Sequence, residues 1–210
     1  MTSVLIIDDH PVVLQGCRRV LEDAGIGPVL DAADVVSGYR LFHQRKPDIV
    51  VVDLAMKGTG LGGLALIRRI RSHDPRARIL VLSMYDDPAI VTRSLEAGAS
   101  GYVLKDSSLE ELVKAVAQVS VGATYLSGDL AMKMALSGSG SRGLLAELTP
   151  RELQVLALLA DGKSYDRIAN ELNVSYKTIV NVSSQLKQKL RADNLPELVS
   201  TAVKMLAPQS

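Results

Sequence analysis

A single cysteine, Cys17, stands in a chain of 210 residues. One thiol excludes an intramolecular disulfide framework and a four-cysteine zinc site, and it fits a reducing compartment. No apolar run approaches the roughly 18 residues of a spanning helix, so no membrane partner is expected. Neither charge sign dominates: 24 Lys and Arg face 23 Asp and Glu, for a net charge of +1. That balance excludes a bulk polycation and a bulk acidic tail. There is no internal repeat. The opening Met1-Thr2-Ser3-Val4-Leu5-Ile6-Ile7-Asp8-Asp9 lacks the basic start of a signal peptide and meets two acids at once, so a cytoplasmic protein is expected. Apolar residues make up 47% of the chain, enough to build cores rather than a disordered polymer.

Composition divides the chain. Residues 1–126 carry 14 basic and 15 acidic side chains, and residues 127–210 carry 10 and 8. Within 175–191 there are four cations (Lys177, Lys187, Lys189, Arg191) and no acid, a local excess that a nucleic acid would feel. The Gly/Ser run Ser137–Gly143 reads as a flexible linker, although a surface loop within one domain would look the same. Before it, continuous apolar runs (Val4–Ile7, Ile49–Val52, Ile79–Leu82, and more weakly Val29–Ala32 and Gly101–Leu104) alternate with amphipathic segments. Runs of this kind suit strands buried on both faces. The expected fold is an α/β doubly wound, five-stranded parallel sheet with helices on both sides. After the linker no strand pattern appears. Thr149-Pro150-Arg151-Glu152 offers an N-cap, a proline at N1 and a capping-box glutamate, and further helices are expected near 164–172, 176–190 and 195–206. Asn173-Val174-Ser175 makes the short turn of a helix-turn-helix. The expected domains are 1–122, a linker over 123–146 with a helix at 127–136, and a small all-α domain over 147–210.

Ligands of open parallel sheets bind outside the carboxyl ends of the strands. Asp8 and Asp9 lie there after the first strand, Asp53 after the third, Ser83 after the fourth and Lys105 after the fifth. Converging carboxylates repel, and a hard cation with oxygen ligands resolves the repulsion, Mg²⁺ being the natural choice. A carboxylate on such a metal can attack phosphorus, and the metal, an ammonium and a hydroxyl would neutralise the transferred oxygens. His10 before Pro11 reads as a helix-entry residue, and His43, His73 and Cys17 as surface or packing residues.

These residues resemble a known family. Val4–Val13, Val51-Val52-Asp53-Leu54-Ala55-Met56 and Gly98–Asp106 look like the flavodoxin-like receiver domain of NarL/FixJ-type response regulators. Leu148–Leu156, Gly162-Lys163-Ser164, Ile168-Ala169, Ser175 and Thr178-Ile179 look like their LuxR-type helix-turn-helix domain. The resemblance implies that Asp53 accepts a phosphoryl group from a sensor histidine kinase. It implies Mg²⁺ ligation by Asp8, Asp9, Asp53 and the backbone carbonyl of Ala55, phosphate sensing by Ser83 and Lys105, and a switch role for Tyr102. A homodimer on double-stranded DNA is expected when the chain is phosphorylated. Enzymatic activity is expected to be no more than slow self-dephosphorylation, because a phosphohydrolase would need an acid/base carboxylate at Ala55.

Two departures from the family pattern stand out. Lys57 replaces a proline in a loop, 57–63, that is about two residues longer than usual and rich in glycine, which motivates the alternative of a phospho-independent regulator with a degenerate receiver. Val180 and Val182 replace a lysine and a histidine on the recognition helix. The expected groove-facing residues are Val180, Asn181 and Ser184, with Lys177, Thr178, Lys187 and Lys189 near phosphates; Asn can read adenine and Val a thymine methyl. The apolar spacing of Leu198, Val199, Ala202 and Leu206 suggests a dimer contact, and the receiver is expected to cover the recognition helix until phosphorylation.

Overall fold

The computed structural model describes residues 2–56, 59–137 and 144–206. Met1, Lys57 and Gly58, the Gly/Ser run from 138 to 143, and residues 207–210 lie outside them. The first half alternates strands and helices: β1 (Val4–Ile7), α1 (Pro11–Asp23), β2 (Val29–Ala32), α2 (Val35–Arg45), β3 (Ile49–Val52), α3 (Gly62–His73), β4 (Arg78–Ser83), α4 (Pro88–Glu96), β5 (Gly101–Leu104) and α5 (Leu109–Ser120). A sixth strand, β6 (Tyr125–Leu126), pairs with β5, so the sheet has six strands in the order β2-β1-β3-β4-β5-β6, all parallel. The sequence expectation was five. Two residues are too short to show a period, and these fall in the segment read as linker.

The apolar runs are strands because both of their faces are covered. Val4 and Ile6 join Val29, Ile49, Val51, Leu80 and Val103 against α1 and α5. The alternate residues Leu5 and Ile7 join Val50, Val52, Ile79 and Val81 against α2, α3 and α4. The two-residue period of a strand sends neighbours to opposite cores. Cys17 is buried in the first of these cores.

After β6 comes α6 (Gly128–Ser137), the helix expected at 127–136. A 3-10 turn, Leu144–Glu147, leads into α7 (Pro150–Ala160), α8 (Tyr165–Glu171), α9 (Tyr176–Leu190) and α10 (Leu195–Leu206). The capping box forms: Thr149 Oγ1 accepts from the Glu152 amide at 3.2 Å, and Glu152 Oε2 accepts from the Thr149 amide at 2.6 Å. Replacing such a cap costs about 1 kcal/mol. α10 packs along α7, and Leu198, Ala202 and Leu206 are buried there. The stripe read as a dimer contact is therefore largely the core of its own domain. Leu195 and Val203 keep the exposed apolar surface of this helix. Among the described residues, no helix is long and apolar enough to cross a membrane.

Candidate functional site

Four strands of the sheet, β1, β3, β4 and β5, deliver the polar side chains of the site at their carboxyl ends. Asp53 leaves β3 directly, its amide donating to the Ile7 carbonyl of β1 at 2.9 Å. Asp8 is held in the same way, its amide donating to Ala32 O at 3.0 Å. The Lys105 amide donates to Ser83 O at 2.9 Å, which ties the ends of β5 and β4 together. α3 begins almost in contact with the Asp53 backbone. A Cβ on Gly63 would lie 2.2 Å from the Asp53 carbonyl oxygen, so only glycine fits there.

The pocket so formed is nearly dry. Asp53 is 2% exposed and Asp8 1%. Lys105 Nζ lies 2.7 Å from Asp8 Oδ2 and 2.8 Å from Asp53 Oδ2. Burial pushes the Asp53 carboxyl above the ordinary carboxylate range; Lys105 opposes that shift, and Asp8 adds to it. Burial also acts to lower the Lys105 ammonium, but Asp53 and Asp8 outweigh it and hold Lys105 above its ordinary value. The protein thus keeps two carboxylates together with one cation between them, a charge-deficient arrangement suited to a second cation.

Asp8, Asp9, His10 and Asp53 each present one ligand atom, all within 4.8 Å of one another. The oxygen donors match a hard divalent ion, so the residues fit Mg²⁺. His10 sits at the N-cap of α1 as expected. Its Nδ1 also lies 2.9 Å from Asp8 Oδ1 and 3.1 Å from Asp9 Oδ1, a contact the sequence alone did not disclose. The Ala55 amide donates to Asp53 Oδ1 at 3.2 Å, which brings the chain at Ala55 back beside the carboxylate.

Ser83 and Tyr102 are fully buried. The Ser83 hydroxyl accepts from the Tyr85 amide at 3.4 Å, and the Tyr102 hydroxyl donates to the Tyr85 carbonyl at 2.6 Å. Tyr85 therefore bridges Ser83 and the buried aromatic. Its only signal in the sequence was its place two residues after Ser83. Burial, followed by Asp161 and Asp53, pushes the Tyr85 hydroxyl up to about 12.

In the second half, Ser175 caps α9, its hydroxyl accepting from the Thr178 amide at 3.1 Å. The Thr178 hydroxyl pairs with Ser175 Oγ at 2.8 Å, so it serves the cap first. Lys189, expected near phosphates, instead reaches Glu152 Oε2 at 2.8 Å and the Glu147 carbonyl at 3.2 Å. Val182 is buried, while Lys177, Val180, Asn181 and Ser184 are exposed and Lys187 is partly so. The sheet domain does not cover them. It meets α7 and its approach instead. Gln154 Nε2 donates to Thr59 O at 2.7 Å. The Arg93 guanidinium of α4 donates to the carbonyls of Leu145 at 2.8 Å and Ala146 at 3.0 Å, and to that of Leu148. No sequence pattern marked Arg93, and Gln154 stood within the Leu148–Leu156 resemblance with no role assigned to it.

Comparison with known proteins agrees with this geometry. Residues 4–117 match the response regulator receiver domain, and residues 146–202 match the bacterial regulatory proteins of the luxR family. The chain belongs to the NarL/FixJ family of response regulators. Among its relatives, the methanol utilization control regulatory protein MoxX of Paracoccus denitrificans is 39% identical over 203 residues, covering 96% of this chain and 91% of the relative. The oxygen regulatory protein NreC of Staphylococcus carnosus is 35% identical, over 96% of this chain and 97% of that one. A solved structure of the response regulator RcsB of Salmonella typhimurium superposes with a TM-score of 0.77 at 31% identity, over 98% of this chain and all of that one. RcsB of Salmonella enterica serovar Typhimurium has also been solved on promoter rprA with phosphomimetic BeF₃⁻, with a TM-score of 0.74 at 30% identity, over 97% of this chain and 98% of that one.

Proposed function

We propose that this response regulator is a transcription factor switched by phosphorylation of Asp53. The observation that carries the proposal is the convergence of Asp8, Asp53 and Lys105 in one dry pocket with Asp9 and Ser83 beside them, in a chain whose second domain leaves its recognition helix open. An Asp53 carboxylate oxygen attacks the phosphorus carried by a histidine of a sensor kinase. The P–N bond breaks, and its electron pair stays on the imidazole. Asp8, Asp9, Asp53 and the Ala55 carbonyl would hold Mg²⁺, which would supply charge neutralisation. Lys105 transfers its ion pair from the Asp53 carboxylate to a phosphoryl oxygen. Ser83 donates to another phosphoryl oxygen, which loosens the Ser83–Tyr85 contact and so engages Tyr85 and Tyr102.

The complete set of five residues supports this reading over a degenerate receiver. Ala55 offers no acid or base to a water molecule, so turnover is limited to slow self-dephosphorylation. The phosphorylated form binds double-stranded DNA, in line with the solved RcsB complex on promoter DNA with a phosphate mimic, and it does so as a homodimer in the cytoplasm. The test is sedimentation of the full chain with Mg²⁺, before and after beryllofluoride. A monomer-to-dimer shift that Asp53→Asn abolishes is expected; a shift that survives the substitution would overturn the proposal.

A further inference from the structure

α9 is divided lengthwise. Ile179, Val182, Ser183, Leu186 and Leu190 are its buried side. At about 100° per residue, the opposite meridian carries Lys177, Asn181, Ser184 and Gln188, with Val180 on its shoulder. All five are exposed in the intact chain, receiver included. In a helix-turn-helix the N-terminal part of the second helix meets the base edges, which selects Val180, Asn181 and Ser184, with Lys177 on the flank.

Major-groove chemistry assigns guanine to Arg or Lys, cytosine to Asp or Glu, adenine to Asn or Gln, and the thymine methyl to apolar side chains. From Leu172 to Ala192 there is no acid, and the one arginine, Arg191, follows the last residue of the helix. Lys189 is held by Glu152 on another side of the helix. The central reading positions therefore hold no side chain suited to a G·C pair. They hold an amide and an isopropyl group, and Ser184 accepts either pair. Lys177, one turn before Asn181, is the single cation of the reading side near its start.

We infer that the recognition helix selects an A·T core in each half-site. Asn181 makes the paired hydrogen bonds to adenine N6 and N7, Val180 covers the methyl of a neighbouring thymine, and Lys177 engages the flank. The inference rests on DNA binding by this domain and deepens it by naming the sequence class.

The experiment is selection from random duplex DNA with the full chain, Mg²⁺ and beryllofluoride, followed by sequencing of the bound fraction. Wild type should recover adenine at one fixed position per half-site, about 10-fold over other bases. Asn181→Ala should flatten that position and leave the others, and Asn181→Arg should move it to guanine. Val180→Ala should weaken a thymine nearby. Asn181 is exposed and alanine favours helix, so unchanged circular dichroism is expected. Recovery of G·C cores by wild type would overturn the inference. An A·T preference that survives Asn181→Ala would also overturn it, because the selection would then come from duplex shape. Failure of wild type to enrich any sequence would overturn DNA binding itself, and the inference with it.

Discussion

The side-chain amide of Gln154 donates to the backbone carbonyl of Thr59 across 2.7 Å, and so links the second turn of α7 to the loop that follows Asp53. Beside it, Gly60 has a φ of +55°, and a Cβ there would lie 2.6 Å from the Gln154 carbonyl oxygen. Both its conformation and its clearance require glycine. Gly60→Ala should push α7 off the receiver while leaving Asp8, Asp53 and Lys105 in place. We expect a larger radius of gyration by X-ray scattering with beryllofluoride uptake retained. An unchanged scattering profile would show that this contact does not hold the domains together.

Asp53 is raised chiefly by burial, so the fold prefers its neutral form. An acid of this kind is accommodated without penalty below its unfolded pKa, and it loses stability as pH rises through its raised, folded pKa. At pH 7 its charge therefore works against the fold. Asp53→Asn without Mg²⁺ should melt higher than wild type, by about 2–4 °C for each kcal/mol relieved. The advantage should shrink in acid. Calorimetry at several pH values checks both.

Removing the cation should have the opposite sign. Lys105→Ala leaves Asp8 and Asp53 buried together without their shared ammonium. Stranding buried charge typically costs about 3–5 kcal/mol. The loss should be largest at neutral pH, and adding Asp53→Asn should restore part of it. Urea denaturation of the single and double variants measures the coupling.

Lys189 and Lys177 should separate cleanly. Lys189 supports Glu152 of the capping box, so Lys189→Ala should lower thermal stability. Burial alone would raise the Glu152 carboxyl, but Lys189 and the Thr149 amide hold it below its ordinary value. Its contribution is thus present above the unfolded glutamate pKa and lost as pH falls through the folded one. Lys177→Ala should leave melting unchanged and lower the slope of log affinity against log salt by about 1. Equal effects of the two variants on both readouts would contradict this division.

Burial lifts the Cys17 thiol to about 11. With little thiolate and no access, it should resist an aromatic disulfide reagent at pH 8 until denaturant is added.

What was legible in the sequence followed from repetition or adjacency. Val4–Ile7 and Ile49–Val52 announced doubly buried strands, and the polar residue after each run marked the site, because strand ends in a parallel sheet share one edge. Thr149 and Glu152 announced a cap because the partners lie three residues apart. What was not legible depended on meetings between distant segments. The spacing of Leu198, Ala202 and Leu206 identifies an apolar face but not what covers it, and α7 of the same chain does so. Lys189 looks like any phosphate-binding lysine until folding brings Glu152 to it. The contacts of Arg93 and Gln154 carry no motif, since backbone carbonyls from other elements are their partners.

The receiver leans on α7 and leaves Lys177, Val180, Asn181 and Ser184 open to solvent. On the proposed function, a single chain in this arrangement already offers its reading residues to a half-site. The difference that phosphorylation makes would then lie in pairing two weak hands rather than in uncovering one. Occupancy of the DNA site should then rise with the number of copies in the cell, so abundance becomes a second input beside the stimulus.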